Sequence, residues 1–292
     1  MKTTLLERLT VPKKIRLMRL KARVISYLTA LPDQASSDEK KTILAYLKQH
    51  DLAVFPYAFT SRYKPEDITL QYDQERNLLY TMWDGAKLYY KNGTDKRKAR
   101  KYFNSLRMEQ DANSPHCYLT AEFTISDNDV VLDVGAAEGN FSLSVISRAS
   151  HIFLFEPEPD WVKALEATFA PWKEKVTIVK NYVSDHTEGN MISIDDYLPE
   201  EQRINFIKAD VEGFEYALLQ GARKTIARQQ NLKLAICTYH HQDDADRIDA
   251  LLKNFGCLTE FTPGYILYHY GRENVVKEPY LRRAVVRARK QG

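Results

Sequence analysis

Hydrophobic positions change their period twice along this chain. In PKKIRLMRLKARVISYL (12–28), Ile15, Leu17, Met18, Leu20, Val24, Ile25 and Leu28 recur at helical spacing among Lys13, Lys14, Arg16, Arg19, Lys21 and Arg23. Residues 1–50 are therefore expected to be helical, packed on the protein with a solvated basic face. A peripheral membrane contact is the alternative for such a helix. Beyond residue 54, ITLQYD (68–73), LLYTMW (78–83) and AKLYYK (86–91) are rich in β-branched and aromatic residues. The breaks at QERN and Asp84-Gly85 make them a small antiparallel meander. Ala99, Tyr102, Phe103 and Leu106 then predict a helix over about 94–110, followed by the loop DANSPHCY.

From residue 129 short apolar runs alternate with helical patterns. VVLDV, IFLFE, VTIVKNYV, INFIKAD and LAICTYH read as strands, with FSLSVISRA, WVKALEATF and FEYALLQGARKTI between them. That alternation predicts parallel βαβ units with helices on both faces. Trp161, Leu165 and Phe169 line one helix face behind an expected Asp160 cap, and Pro171 ends the run. Phe214, Leu218, Ala222 and Ile226 form a second stripe, and Ile248, Leu251, Leu252 and Phe255 a third, ending at Gly256. CLTEF and GYILYHY are expected to pair as antiparallel strands around Pro263-Gly264. PYLRRAVVRARKQG reads as a loosely held basic tail. The expected division is a helical segment (1–50), an α+β cap (51–115), an α/β sheet domain (116–276) and the tail (277–292).

Composition narrows the class. The chain has 292 residues, of which 44% are hydrophobic and 28% charged, which suits a globular fold rather than disorder. A formal net charge of +3 is too small to imply nucleic acid as a specific partner. Cys117, Cys237 and Cys257 are odd in number and scattered, so a reducing, cytoplasmic location is expected. No apolar run reaches the length of about 18 residues that a transmembrane helix needs, and no signal peptide is read at the N-terminus.

The most informative segment is VVLDVGAAEGNFS (130–142). An apolar strand ends in Asp133, a short loop with Gly135 and Gly139 follows, and a helix begins. Crevices at the carboxyl ends of parallel strands are where open α/β sheets bind ligands. The next strand ends in Glu156, 23 residues on, placed to accept hydrogen bonds from both ribose hydroxyls of a nucleoside cofactor. Expected cofactor contacts are Asp133, Gly135, Ala136, Glu138, Gly139, Asn140 and Phe141, with Glu156 and Pro157 on the following strand. A dinucleotide site wants G-x-G-x-x-G and room for a diphosphate. Here the loop is G-A-A-E-G, and Glu138 is expected to repel one. The cationic sulfonium and ammonium of S-adenosylmethionine suit the carboxylates of Asp133, Glu138 and Asp210 instead.

Two further clusters carry candidate chemistry. KADVEGFEYALL (208–219) places Asp210 at a strand's carboxyl end, with Glu212 and Glu215 on the turn into the helix. CTYHHQDDAD places His240 and His241 at the same edge. Strand alternation sends adjacent side chains to opposite faces, which selects His240 as general base and leaves His241 as a substrate contact. Asp210 and Glu212 are its expected catalytic partners, and with His240 they also suit a divalent metal, an alternative that is not favoured. Asp243, Asp244 and Asp246 read as a cap and solvated first turn. His116 is expected to fold over the pocket as a substrate contact, with Glu215. The run KRKARK (96–101) suits an anionic substrate or, equally, a solvated helix face.

DVGAAEGNFS, FEPEPDW, INFIKADVEGFEYALLQGA and TYHH together resemble the FkbM family of methyltransferases over about residues 129–270. The resemblance implies a class I methyltransferase fold, a mostly parallel Rossmann-like sheet with an antiparallel C-terminal strand. It implies S-adenosylmethionine as methyl donor and O-methylation of a sugar, glycan or related natural product. It also implies that Ser184-Asp185 line the adenine and that Asp210 stands beside the methionine moiety. The loop departs from the glycine-rich form of the family at Ala137. An NAD-dependent oxidoreductase, a nucleic-acid methyltransferase and a non-catalytic binding module stay open as rivals, and the oligomeric state is not legible.

Overall fold

The computed structural model describes residues 11–269 and 276–290. Residues 1–10 of the expected helical segment, residues 270–275, and residues 291–292 of the expected tail lie outside the described residues.

Helices α1 (Lys13–Ala30) and α2 (Asp38–Gln49) open the described chain, α2 capped by Ser37, which accepts from Lys40 N. Leu20, Val24 and Leu28, each four apart, bury one stripe of α1 against Ile43 and Leu47 of α2 and against Leu267, Val276, Tyr280 and Leu281. The basic residues of α1 stand mostly on its outer side.

The cap meander is β1 (Gln71–Asp73), β2 (Leu78–Trp83) and β3 (Ala86–Tyr89), antiparallel throughout. Asp84 and Gly85 both take positive φ (47° and 82°), the pairing a two-residue hairpin turn requires. Helix α3 (Lys96–Glu109) follows, with Asp95 accepting from Arg97 N and Lys98 N at its start. It buries Ala99, Phe103 and Leu106. Leu88 and Phe103 belong to one apolar cluster with Val131, Ile152 and Phe206, so cap and sheet share a core.

The remaining elements are β4 (Val130–Val134), α4 (Asn140–Val145), β5 (His151–Phe155), α5 (Pro159–Phe169), β6 (Val176–Val179), β7 (Tyr182–Val183), β8 (Met191–Ile192), α6 (Ile194–Tyr197) and β9 (Phe206–Ala209). They are followed by α7 (Glu215–Gly221), α8 (Arg223–Arg228), β10 (Lys233–Cys237), α9 (Asp244–Asn254), β11 (Cys257–Phe261) and β12 (Val285–Lys290). A seven-stranded sheet runs in the order β11-β12-β10-β9-β4-β5-β6. Every pair is parallel except those of β12, which is antiparallel to both β10 and β11. This is the expected α/β class, a mostly parallel sheet with one reversed C-terminal strand. The β4, β5 and β9 ends meet in the middle of the sheet, which sets the crevice there.

Several local expectations are corrected. In GYILYHY, the described residues 264–269 form no strand: Gly264 N donates to Glu39 and Tyr265 N to Tyr57, and among them only Ile266 forms a bridge, with Arg282. The partner of CLTEF is β12, inside the segment read as a loose tail. Val285, Val286 and Ala288 are buried, while Arg287, Arg289 and Lys290 reach backbone carbonyls of Tyr118, Glu122 and Ile226. Their charges hid a sheet-interior strand. VTIVKNYV divides at Lys180-Asn181, since β6 pairs with β5 and β7 with β8. Asp160 does not cap α5; Pro159 takes the first helical position and Glu158 precedes it. Phe214 stands 59% exposed, because α7 begins after it and the buried stripe starts at Leu218. Asp244 is buried rather than solvated and accepts from His241 N at 2.6 Å.

Candidate active site

The loop after β4 is built by close backbone approach. Gly135 N and Ala136 N both donate to Phe155 O, at 3.0 and 3.1 Å. A Cβ on Gly135 would lie 1.9 Å from Asp210 O, and its φ is +76°, so only glycine fits. Ala137 holds φ 45° despite its Cβ, a strain of roughly 1–2 kcal/mol. Gly139 then opens α4, where Asn140 and Phe141 are buried.

Two expected cofactor carboxylates serve the loop instead. Asp133 is fully buried, accepts from Ser142 Oγ at 2.7 Å and lies 2.9 Å from Lys208 Nζ. Lys208 also donates to Gly135 O at 2.7 Å. Asp133 therefore braces the loop from beneath and presents no free charge to a ligand. Glu138 is covered by Tyr102 of α3, whose hydroxyl donates to it. Burial pushes its carboxyl up to about 7, against hydrogen bonds from Tyr102 and the backbone and the charge of Lys208. It faces the cap, so the repulsion of a diphosphate expected from it is not exerted at the loop surface.

Glu156 is fixed by the backbone. Ala137 N donates to one oxygen at 2.9 Å and Glu158 N to the other at 2.8 Å. A carboxylate has about four acceptor positions, so hydroxyls still find partners there. Pro157 is half-buried beside it, and Ser184 Oγ donates to the exposed Asp185 at 3.1 Å where β7 ends.

Asp210 is the hub. Tyr118 donates to its Oδ2 and Tyr239 to its Oδ1, each at 3.0 Å. His116 Nε2 stands 3.6 Å from Oδ2 and His240 Nε2 3.6 Å from Oδ1. Burial works to raise its pKa, but His116, His240, Lys208 and the Tyr239 bond outweigh it and hold the carboxyl at about 2. Its side chain keeps 23% exposure, so one edge stays open.

The two imidazoles are shifted in opposite directions. Burial lowers His116 to about 4, assisted by Lys208 and His240, so it is neutral near pH 7. For His240 burial acts downward too, yet Glu215 and Asp210 prevail and raise it. Glu215 Oε1 lies 2.9 Å from His240 Nδ1 and accepts from Val211 N at 2.8 Å. Fully buried, Glu215 contacts no solvent, so its expected role as a substrate contact is corrected to one of orienting His240. Glu212 stands 87% exposed at φ 54°, with Oε2 3.8 Å from His240 Nε2. His241 is not brought to Asp210; it is 56% exposed, 3.3 Å from Asp244, over Gly213.

Tyr118, Tyr239, Lys208 and Glu109 were not read from the sequence as site residues. Lys208 had a signal: it lies two positions before Asp210, hence on the same strand face. Tyr239 did not, because β10 ends at Cys237 and alternation lapses beyond it. Glu109, at the end of α3, feels Asp210 and Glu138; burial and those charges raise its pKa well above the ordinary carboxylate value. Two groupings among the described residues have metal-ligating atoms close together: His116, Asp210 and Cys237, and Asp210, Glu215 and His240. In the second, Glu215 takes the place expected of Glu212, and its near oxygen is engaged by Val211 N and His240.

Residues 173–258 match the family model described as the methyltransferase FkbM domain. That stretch of the chain is similar to FkbM methyltransferases. The match supports an S-adenosylmethionine-dependent methyltransferase. The residues matched within the FkbM domain include Asp210, Glu215 and His240; the glycine loop and Glu156 precede them. A search of curated proteins finds no match. Among solved structures, this chain is similar to a precorrin-6y C5,15-methyltransferase from Geobacter metallireducens, at 18% identity and TM-score 0.39, over 57% of this chain and 82% of that one. It is similar to Trm5b from Pyrococcus abyssi, at 15% and 0.41, over 77% of this chain and 63% of that one. It is also similar to a putative methyltransferase from Streptococcus mutans in complex with SAH, at 14% and 0.38, over 57% and 90%. No helix among the described residues is long and apolar enough to cross a membrane.

Proposed function

We propose that this methyltransferase moves a methyl group to a hydroxyl oxygen of a sugar, glycan or related natural product, in the cytoplasm. The observation that carries this reading is His240, held between Glu215 at 2.9 Å and Asp210 at 3.6 Å. A carboxylate on Nδ1 fixes the tautomer that leaves Nε2 as acceptor, and it raises the basicity of the ring. Oriented in this way, His240 Nε2 takes the proton of an acceptor hydroxyl as its oxygen attacks.

The residues present fit the cofactor. Glu156 has acceptor capacity left for ribose hydroxyls. Asp210, held ionised and with one edge open to the crevice, suits a positively charged ligand. S-adenosylmethionine supplies a methyl on a sulfonium, a leaving group that needs no further activation. The chain's own work is alignment and water exclusion, through the Gly135 loop below and α3 above. Asp210 accepts from the acceptor hydroxyl along its open edge and positions it against His240.

The test is incubation with labelled S-adenosylmethionine and a panel of sugars, nucleotide-sugars and glycans, with and without chelator. Label in an alkali-stable ether, at a rate that His240→Ala slows while leaving S-adenosylhomocysteine binding nearly intact, supports the reading. Unchanged turnover in that variant, or label only on nitrogen or carbon, contradicts it.

A further inference from the structure

The cap holds a hollow of about 520 Å³ between the meander and α3 that the transfer site does not use. That size falls within the roughly 300–1,000 Å³ of small-molecule sites. Trp83 and Met82 line one side; Asp67, Gln71, Asp84 and Arg107 supply the polar groups. An indole among planar hydrogen-bonding groups matches a particular ligand chemistry. A pyranose has an apolar C–H face that packs on an indole and a rim of hydroxyls that bond to carboxylate, amide and guanidinium.

The indole is already fixed in place. Trp83 Nε1 donates to Ser144 Oγ at 2.9 Å, and Ser144 Oγ donates to Asp84 Oδ2 at 2.7 Å. A ring held this way loses little freedom when a ligand arrives. Gln71 Oε1 accepts from Tyr80 at 2.6 Å, which aims the amide and leaves its NH2 as a donor.

The hollow is tied to the cofactor crevice through Trp83, which bonds Ser144, and through the helix that carries Arg107. Ser144 lies on α4, the helix that begins beside Gly139. Arg107 lies on α3, whose Tyr102 bonds Glu138 of the loop. The hollow and the cofactor loop are therefore linked through α3 and through the Trp83–Ser144 bond. We infer that the hollow is a subsite for a remote, uncharged pyranose unit of a glycan acceptor, recognised by Trp83, Asp67 and Asp84. This rests on the sugar reading above. The two carboxylates against Arg107 favour hydroxyl-bearing units over anionic ones.

The experiment is calorimetric titration of the full chain, without cofactor, with two- to four-unit oligosaccharides of glucose, galactose, mannose and N-acetylglucosamine. At least one series binds, and Trp83→Ala and the surface variant Asp67→Asn each weaken it tenfold or more. Both variants keep wild-type affinity for S-adenosylhomocysteine. If no series binds, or if both variants bind as wild type does, the subsite is wrong. Failure of the sugar reading looks different: oligosaccharide binds in the hollow with the same variant sensitivity, but no sugar accepts label.

Discussion

Asp133 and Lys208 form an ion pair 2.9 Å long beneath the glycine loop, with both side chains buried and Lys208 also bonded to the Gly135 carbonyl. Removing one partner of such a pair leaves an uncompensated buried charge, which costs about 3–5 kcal/mol. Lys208→Met is therefore expected to lower the free energy of unfolding in urea by that amount. It also frees the Gly135 carbonyl, so calorimetry should find weaker S-adenosylhomocysteine binding under conditions where the variant remains folded.

Glu138 gives the fold a pH dependence of its own. Its carboxyl rises from an ordinary 4.5 to about 7 on folding, so the native state holds a proton that the unfolded chain has released. Stability then falls as pH rises from about 4.5 to 7, by about 3 kcal/mol in total. Glu138→Gln keeps an acceptor for Tyr102 and cannot ionise. Urea unfolding across that range should show a flatter profile for the variant and greater stability at pH 8; parallel profiles would refute the assignment.

Asp210 acts in the opposite sense. Its pKa falls from 3.8 to about 2, so its contribution of about 2 kcal/mol is present above pH 4 and disappears as pH drops through 2. Asp210→Asn should unfold at a higher pH on acid titration. Turnover should fall by roughly 10²–10⁴, the range for loss of a group acting in proton transfer.

Glu215 sets the protonation of His240 rather than touching an acceptor. Its close carboxylate, with those of Asp210 and Glu212, raises the imidazole against the pull of burial. Glu215→Gln should lower the His240 pKa in a proton NMR titration. The rising limb of the pH–rate profile, which reports the deprotonated base, should move to lower pH with it. A limb that stays in place would remove His240 from the proton path.

The sheet was legible where strand and helix periods alternate, from VVLDV to LAICTYH, and so was the hairpin at Asp84-Gly85. The glycine loop was legible because Gly135 must lie against Asp210 O. The carboxylates were less so. A sequence shows that Asp133, Glu138 and Glu215 are acidic near a crevice, but not which way each points. Burial turned Asp133 toward Lys208, Glu138 toward Tyr102 and Glu215 toward His240. Long-range partners explain the other gaps. Tyr118 reaches Asp210 across 92 positions of chain, and no local pattern encodes that meeting.

The place of β12 governs how the far side of the sheet comes together. The chain leaves β11 at Phe261, loops through more than twenty residues, and slots back between β11 and β10. The outer strand thus hangs from an inner neighbour that follows it in sequence, with no ladder of its own to β10. Damage at Val286 or Ala288 should loosen two strands at once and bare the β10 edge beside Tyr239 and His240. A lesion far from the crevice in sequence would then silence it by unseating the floor on which the histidine stands.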